Sequence, residues 1–388
     1  MTVTAPKGFR ASGVAAGIKA SGKPDLALVV NVGPEKSAAA VFTSNRVAAA
    51  PVRWSRQAIG DGRADAVVLN SGGANACTGP QGFQNAHTTA EKTADVLGIS
   101  AADVVVCSTG LIGEQLPMDK VLAGVDAAAA ALADDGGHEA ALAIMTTDTV
   151  PKEAVFTGVD SEGAEYTIGG IAKGAGMLAP GLATMLVVLT TDAATAPEML
   201  DAALRDATRV TFDRTDSDGC MSTNDTVVLL SSGASGAVPD AAGFTAGLTQ
   251  VCAELARKLI GDAEGASHDI AIRAFNAASE SDAEIVARAV ARSNLFKTAI
   301  FGKDPNWGRV LSAVGTTDAV FDPDELNVAI NGVQVCRKGG IGEDRSLVDL
   351  EPRDVRVEID LGSGDAEATI LTNDLTHDYV HENSAYSS

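Results

Sequence analysis

The stretch Ile168-Gly-Gly-Ile-Ala-Lys-Gly-Ala-Gly-Met-Leu-Ala-Pro-Gly-Leu-Ala-Thr-Met-Leu-Val-Val-Leu-Thr-Thr-Asp192 passes from a glycine- and proline-rich loop into an uncharged run. Met185–Thr191 is short, apolar and rich in β-branched residues, which predicts a buried strand. Similar runs predict further strands at Ala27–Val32, Ala66–Asn70, Asp103–Cys107, Thr226–Ser231, His268–Ala274, Leu326–Ile330, Val355–Leu361 and Glu367–Leu371.

Amphipathic segments between these strands predict helices. They are Gln84–Leu97, Asp119–Ala133, Pro197–Val210, Phe244–Ile260 and Ser281–Val290. Strands mixed with helices predict an α/β or α+β protein of at least two layers. The glycine-rich region Gly158–Gly181 is the candidate domain boundary.

Composition and charge exclude several classes of function. The 388 residues include 29 Lys and Arg against 51 Asp and Glu, a net charge of −22. Such an acidic chain lacks the clustered cations that nucleic acids and anionic membranes require. The start of the chain shows no apolar leader, and the five cysteines form no CxxC pair. These features predict a cytoplasmic protein that acts on small molecules.

Thr184 is a candidate nucleophile within the opening stretch. A threonine hydroxyl needs an adjacent base. If the Ala183–Thr184 bond were cut, the freed α-amino group of Thr184, with a pKa of about 7.7–8.0, would suit that role. Lys173 nearby could hold a substrate carboxylate. From these residues alone, a β-branched residue that simply opens a strand is the commoner explanation of Thr184.

The same stretch also carries a loose dinucleotide-binding pattern. Gly174–Ala179 fits Gly-x-Gly-x-x-Ala, and Asp192 follows a predicted strand. The pattern must open a helix, however, and Pro180 and Gly181 would end that helix after about one turn. Nucleotide binding is therefore the weaker interpretation.

Two other segments place small polar residues directly after predicted strands. Cys107-Ser-Thr-Gly-Leu-Ile-Gly113 offers backbone N–H groups and the Thr109 hydroxyl, which could form an oxyanion hole. Asn70-Ser-Gly-Gly-Ala-Asn-Ala-Cys-Thr-Gly79 could face a ligand. For Cys107–Gly113 taken alone an ordinary turn at the end of a strand is the commoner explanation, and Asn70–Gly79 could equally be a plain turn.

Two polar segments are poor metal sites. The acidic loop Asp213–Asp225 lacks the closing Glu and the glycine position of a calcium loop, so we expect a solvated turn. His377 and His381 have helical spacing but lack the Glu of an HExxH motif.

Taken together, these segments resemble the ornithine acetyltransferase family of arginine biosynthesis from end to end. The similar segments, in order, are Gly8–Lys19, Val41–Asn45, Asn70–Gly79, Ser108–Met118, Ile144–Lys152, Lys173–Leu186, Ser222–Thr226, Gly261–Ala266 and Lys297–Arg309. The resemblance implies a layered αββα-type sandwich of the self-processing, N-terminal-nucleophile-like kind. It also implies that the precursor cuts itself between Ala183 and Thr184.

The resemblance further implies how the processed protein is built and what it does. The α chain, 1–183, and the β chain, 184–388, would intertwine in an α2β2 heterotetramer rather than form two independent domains. Thr184 would take the acetyl group from N2-acetyl-L-ornithine and pass it to L-glutamate by a ping-pong route, with Thr109 and Gly110 as the oxyanion hole. The positions that match substrate-binding residues are Thr147, Lys173, Thr184, Glu264, Asn383 and Ser388.

No cofactor or metal is expected for this transfer. Acetyl-CoA is left open as a co-substrate for a second activity, the acetylation of glutamate. The sequence departs from the family at Ser388 (threonine expected), at His268 (lysine expected) and at Gly181-Leu182 (Asn-Met expected). The alternatives are an amidase or aminopeptidase on the same scaffold, and a small-molecule binding protein without catalysis.

Overall fold

The computed structural model describes residues 2–177 and 185–385, which form two compact units. The first unit contains 1–213 and 220–259, and the second contains 214–219 and 260–388.

The first unit contains two sheets and their covering helices. Its strands are β1 (Phe9–Val14), β2 (Leu26–Asn31), β3 (Ser37–Phe42), β4 (Ala66–Asn70), β5 (Val104–Ser108), β6 (Lys152–Val159), β7 (Glu165–Lys173), β8 (Leu186–Thr191) and β9 (Thr226–Ser231). Its helices are α1 (Ala50–Ala58), α2 (Gly79–Leu97), α3 (Met118–Ala130), α4 (Gly137–Ile144), α5 (Pro197–Val210) and α6 (Ala241–Gly261), of which the last two residues fall in the second unit.

The strands form one sheet of order β1-β2-β4-β5 and another of order β3-β9-β8-β7-β6. Within the second of these sheets, β7 and β8 are antiparallel, and Lys173 at the end of β7 lies opposite Leu186 at the start of β8. Strands β8 and β9 are parallel, and Leu186 lies opposite Thr226. One end of each of these three strands therefore lies at the start of β8, two residues after Thr184 in the chain.

The two sheets pack face to face over a core of aliphatic side chains. Val29 and Val67 of the first sheet share this core with Ile171 and Val188 of the second.

Helices cover the outer face of each sheet. Leu28 and Val106 on the outer face of the first sheet pack with Ala90 of α2 and Val125 of α3. On the other side, a Cβ built at Gly170 would lie 3.0 Å from Leu255 of α6. The predicted αββα layering is therefore confirmed.

The second unit is a single sheet with helices against it. Its elements are β10 (Asp269–Ala277), α7 (Glu280–Ala291), α8 (Asn294–Phe301), α9 (Trp307–Val314), β11 (Asn327–Ile330), β12 (Val333–Arg337), β13 (Gly340–Ile341), β14 (Asp354–Asp360), β15 (Ala366–Asn373) and α10 (His377–Ala385). The strand order is β13-β12-β11-β14-β10-β15, and β10 and β14 are parallel. Ile272 and Val357 pack against Val286 of α7.

The predicted domain boundary at Gly158–Gly181 is wrong. The whole of β7 lies in this region, as an inner strand of its sheet. Its glycines allow close packing: a Cβ on Gly169 would lie 2.3 Å from the carbonyl oxygen of Thr2, and one on Gly170 would lie 2.8 Å from Leu189. Glycine content here marks a crowded sheet face and not a linker.

Among the described residues, no helix has both the length and the apolar character needed to cross a membrane.

Gly169→Ala tests this packing. Because the added methyl group would meet backbone that cannot rotate away, we expect the free energy of unfolding to fall by about 1–3 kcal/mol. Gly243→Ala is the control, since its Cβ would lie 3.4 Å from the nearest atom, the side chain of Asp240. This helical substitution should leave stability unchanged or slightly higher. Denaturant unfolding of both variants measures the difference, and equal stabilities would contradict the close approach.

Candidate functional site

Three charged side chains are buried where β6 begins and β7 ends. The side chains of Asp148, Lys152 and Lys173 are 0%, 0% and 2% exposed. Lys152 Nζ donates to Asp148 Oδ1 at 2.6 Å, and Lys173 Nζ lies 3.9 Å from Asp148 Oδ2. The N–H of Gly174 also donates to Asp148 Oδ1, at 2.7 Å. The Asp148 carboxylate thus contacts two ammonium groups and the first backbone N–H after β7.

The charge state of Asp148 follows from these contacts. Burial alone would raise its pKa, but the ammonium groups of Lys173 and Lys152 outweigh burial and lower the pKa to about 2. A hydrogen bond from the N–H of Thr146 to Asp148 Oδ2, 2.9 Å long, acts in the same direction. Asp148 is therefore an ionised carboxylate at neutral pH.

Lys19, the last residue of the opening motif, joins this region from another loop. Its Nζ donates to the carbonyl oxygens of Met145 at 2.6 Å and Pro24 at 3.0 Å. Burial lowers the pKa of Lys19 to about 8; Asp25 opposes that shift, while the charge of Lys173 adds to it. The opening motif therefore fixes the loop that carries Thr147, which is half-buried beside Asp148.

The loop after β5 packs backbone to backbone against the loop after β4. The N–H of Thr109 donates to the carbonyl oxygen of Asn70 at 2.9 Å, and the N–H of Gly73 donates to that of Thr109 at 3.0 Å. Gly110 has φ +133°, and a Cβ there would lie 2.6 Å from the Gly73 nitrogen. Only glycine fits this position.

This packing decides which donors an oxyanion could use. The Thr109 N–H is already committed to Asn70, so the hydroxyl of Thr109 and, within 2–177 and 185–385, the N–H of Gly110 are the donors left at this turn. Thr109 Oγ1 accepts a hydrogen bond from Lys173 Nζ at 3.3 Å, which leaves its own proton to donate. The neighbouring thiol of Cys107 is a poor nucleophile, because burial raises its pKa to about 12.

The loop before β9 reaches the same strand ends. Asn224 Nδ2 donates to the carbonyl oxygens of Ala74 at 2.6 Å and Ser108 at 2.8 Å. Asp225 Oδ1 accepts the N–H of Met185 at 3.0 Å. Both side chains are buried, so the prediction of a solvated turn at Asp213–Asp225 is wrong. Its polar residues bond to backbone and side chains of neighbouring segments instead of water.

In the second unit, Glu264 lines a cavity of about 380 Å³ together with Lys297, Arg292 and Tyr379. Its neighbour Gly265 packs directly on α10, since a Cβ there would lie 2.2 Å from the Tyr379 nitrogen.

Asn383 lies one turn further along α10, is exposed, and donates to the carbonyl oxygen of Tyr379 at 3.0 Å. Ala183, Thr184 and Ser388 lie outside the described residues.

The structure explains the residues of the two weaker interpretations, the nucleotide pattern and the histidine pair. Asp192 accepts the N–H groups of Lys7 at 3.0 Å and Thr167 at 2.7 Å, so it is committed to backbone and cannot serve a ribose. His377 stacks edge-on against Phe301, with ring centroids 5.4 Å apart. Within 2–177 and 185–385, no group of three or more His, Cys, Asp or Glu is arranged to hold a metal ion.

His268, where lysine is expected, is buried between two acceptors. Its Nδ1 lies 2.8 Å from Asp374 Oδ2 and its Nε2 lies 3.1 Å from the carbonyl oxygen of Leu350. The imidazole thus lies beside a carboxylate that a lysine could also pair with.

Sequence reasoning missed Asp148, Lys152, Lys19 and Asp225 as parts of the site. Each lies inside one of the segments that carry the resemblance, so the signal was present. Lys152 pairs with Asp148 only four residues away. Asp148, Lys19 and Asp225 make contacts that join segments far apart in the chain, and no local pattern encodes those contacts.

Comparison with known proteins identifies the family. Residues 10–388 match the profile of the ArgJ family. The chain belongs to the ArgJ family. The arginine biosynthesis bifunctional proteins ArgJ of Streptomyces coelicolor and Thermobifida fusca are each 66% identical over 388 residues, covering 100% of both chains. The family predicted from the motifs is confirmed.

A solved ArgJ-family structure is also similar. The ornithine acetyltransferase of Mycobacterium tuberculosis complexed with ornithine is 56% identical, with a TM-score of 0.44, over 48% of this chain and 96% of that one.

Asp148→Asn tests the buried charge cluster. Because the change leaves two buried ammonium groups without their carboxylate, we expect the free energy of unfolding at pH 7 to fall by about 3–5 kcal/mol. Asp95→Asn, on the exposed face of α2, is the control and should change stability little. Denaturant unfolding measures both.

The pH dependence gives a second test of Asp148. Its pKa is lowered from 3.8 to about 2, so its stabilisation is present above pH 4 and is lost as the pH falls toward 2. The loss should amount to roughly 2 kcal/mol. Asp148→Asn should lack this part of the acid dependence. An unaltered dependence would contradict the ion pairing.

Proposed function

We propose that this protein transfers an acetyl group from N2-acetyl-L-ornithine to L-glutamate, with Thr184 as the nucleophile. The observation that carries the proposal is the contact of Lys173 Nζ with Thr109 Oγ1, 3.3 Å long, at the end of β7. The strand partner of Lys173 is Leu186, two residues after Thr184 in the chain. A cation and a candidate oxyanion donor thus lie beside the start of β8, two residues after Thr184 in the chain of an ArgJ-family protein.

The proposed nucleophile is made by self-cleavage. Hydrolysis of the Ala183–Thr184 peptide bond adds a hydroxyl to the carbonyl carbon of Ala183 and a hydrogen to the nitrogen of Thr184. The freed amine then shares a residue with the Thr184 hydroxyl and can act as its base.

Transfer then proceeds in two balanced half-reactions. Thr184 Oγ attacks the acetyl carbonyl carbon while the α-amino group takes its proton, and the oxyanion accepts hydrogen bonds from the Thr109 hydroxyl and the Gly110 N–H. The carbon–nitrogen bond breaks, and ornithine leaves with that proton. The glutamate amine attacks the resulting ester, the bond between the acetyl carbon and Thr184 Oγ breaks, and a proton of the amine passes to Thr184 Oγ by way of the same α-amino group.

Substrate recognition follows from what the two amino acids share. Both have an α-carboxylate, which we assign to Lys173, with Thr147 as a neighbouring polar contact. Glu264 suits the ammonium group of ornithine, and Asn383 and Ser388 complete the proposed set.

The pairing of strands supports an intertwined product of cleavage. β3, β6 and β7 precede Ala183 in the chain, β8 and β9 follow it, and all five share one sheet. The α chain, 1–183, and the β chain, 184–388, would therefore stay joined by backbone hydrogen bonds, and we propose that they assemble as α2β2.

The proposed transfer uses no cofactor or metal, and acetyl-CoA would enter only as a co-substrate for glutamate acetylation. The five cysteines form no disulfide, which supports a location in the reducing cytoplasm.

Thr184→Ala tests the nucleophile. The variant lacks the hydroxyl, so it should remain one chain by denaturing mass spectrometry and form no N-acetylglutamate from N-acetylornithine and glutamate. Thr249→Ala, on α6, should be cut and active like wild type. Turnover at the wild-type rate by Thr184→Ala would refute the assignment, and wild-type release of acetate without N-acetylglutamate would indicate the amidase.

Thr109→Val tests the oxyanion donor. The isosteric change removes the hydroxyl, so kcat should fall by about 10²–10³ with little change in KM. Thr109→Ser keeps the donor and should retain most of the activity. Steady-state kinetics with N-acetylornithine decides, and equal kcat values for the valine and serine variants would exclude the hydroxyl from this role.

A further inference from the structure

Asp225 is a wholly buried carboxyl group that contacts the residue directly after Thr184 in the chain. It is 0% exposed and lies directly before β9. Its Oδ1 accepts the N–H of Met185 at 3.0 Å. Since Met185 follows Thr184 in the chain, Asp225 bonds to the first peptide group after the proposed nucleophile.

Met185 is held from both sides. Its N–H donates to Asp225, and its carbonyl oxygen accepts the N–H of Thr226 at 3.1 Å. Its side chain is buried in the core. The backbone on the C-terminal side of Thr184 is therefore fixed in place by residues 225 and 226.

The second oxygen of Asp225 is buried and makes no close hydrogen bond among the described residues, although the backbone of Ser222 and the hydroxyl of Thr43 lie near enough to the carboxyl to lower its pKa. Buried polar atoms without a partner are rare because they lose their hydration and gain nothing in return. Burial raises the pKa of Asp225 well above its usual value, while the charge of Lys173 opposes the shift.

We propose that Asp225 is a positioning residue for the nucleophile: Oδ1 holds the Met185 N–H, and Oδ2 accepts a hydrogen bond from the α-amino group that cleavage leaves on Thr184. This inference rests on the proposed function. The nitrogens of consecutive residues are three bonds apart, so one carboxyl group can contact both. The contact would orient the base toward the hydroxyl on the same residue.

The contact also has an electrostatic consequence. Cleavage creates an amine that can carry a positive charge beside a carboxyl group that can carry a negative one. Each ion favours the other, so the pKa of the α-ammonium rises and the amine becomes a stronger base. Lys173 faces Asp225 from β7, and its charge opposes this rise; Thr43 and Ser222, the other neighbours, are uncharged.

The test measures kcat/KM against pH for wild type and Asp225→Asn. The amide oxygen of asparagine can keep the Met185 contact, so the variant should still be cut. Its acid limb should move to lower pH by about one unit, because the negative charge is gone. Asp192→Asn is the matched control: Asp192 is also buried and also bonds to backbone N–H groups, but of Lys7 and Thr167. Its acid limb should stay at the wild-type pH.

A second measurement needs no variant. The rate at which an acylating reagent labels the N-terminal amine of the wild-type β chain, followed against pH, gives the pKa of that amine. A value above the ordinary range of about 7.7–8.0 supports the contact, and a value within or below that range contradicts it.

The outcomes separate the two proposals. An acid limb in Asp225→Asn that equals that of wild type contradicts the role of Asp225, and so does an Asp225→Asn chain that stays uncut. Wild-type protein that is itself uncut, or that transfers no acetyl group, contradicts the proposed function instead.

Discussion

The buried ion pairs of Asp148 are the interaction on which the site depends. Two lysines with almost no exposed surface cannot stay charged in a protein interior without a carboxylate between them. Asp148 supplies it and also bonds to the N–H of Gly174. The position of Lys173, its contact with Thr109 and the course of the chain after β7 all follow from this one side chain.

Around Asp148, the loops contact one another through their backbones and not through large side chains. Gly110 and Gly73 let the loops after β5 and β4 meet, and this contact turns the Thr109 N–H toward Asn70 and leaves the Thr109 hydroxyl toward Lys173. On the other side, Asp225 holds Met185. The Thr109 hydroxyl, the Lys173 ammonium and the Asp225 carboxyl thus all lie at the ends of strands. The sheets hold them in fixed positions there.

The sequence predicted elements well where the pattern was local. Thr226–Ser231 and Pro197–Val210 were predicted with the bounds that the structure has, because one is a continuous β-branched run and the other a regular amphipathic helix. β7 was missed, because its glycines look like a loop and its strand character comes from its neighbours. Thr109 and Lys173 were candidates from their own segments and were assigned roles through the resemblance, whereas Asp148 and Asp225 act through contacts between distant segments, which no local motif displays.

Detection of an acetyl-enzyme tests most directly whether Thr184 is the nucleophile of a self-cleaved acetyltransferase. Wild-type protein is incubated with N-acetylornithine alone, denatured, and analysed by mass spectrometry. We expect two chains, 1–183 and 184–388, with one acetyl group on Thr184 of the second chain, which glutamate then removes. A single uncut chain, or an acetyl group on any other residue, would contradict it.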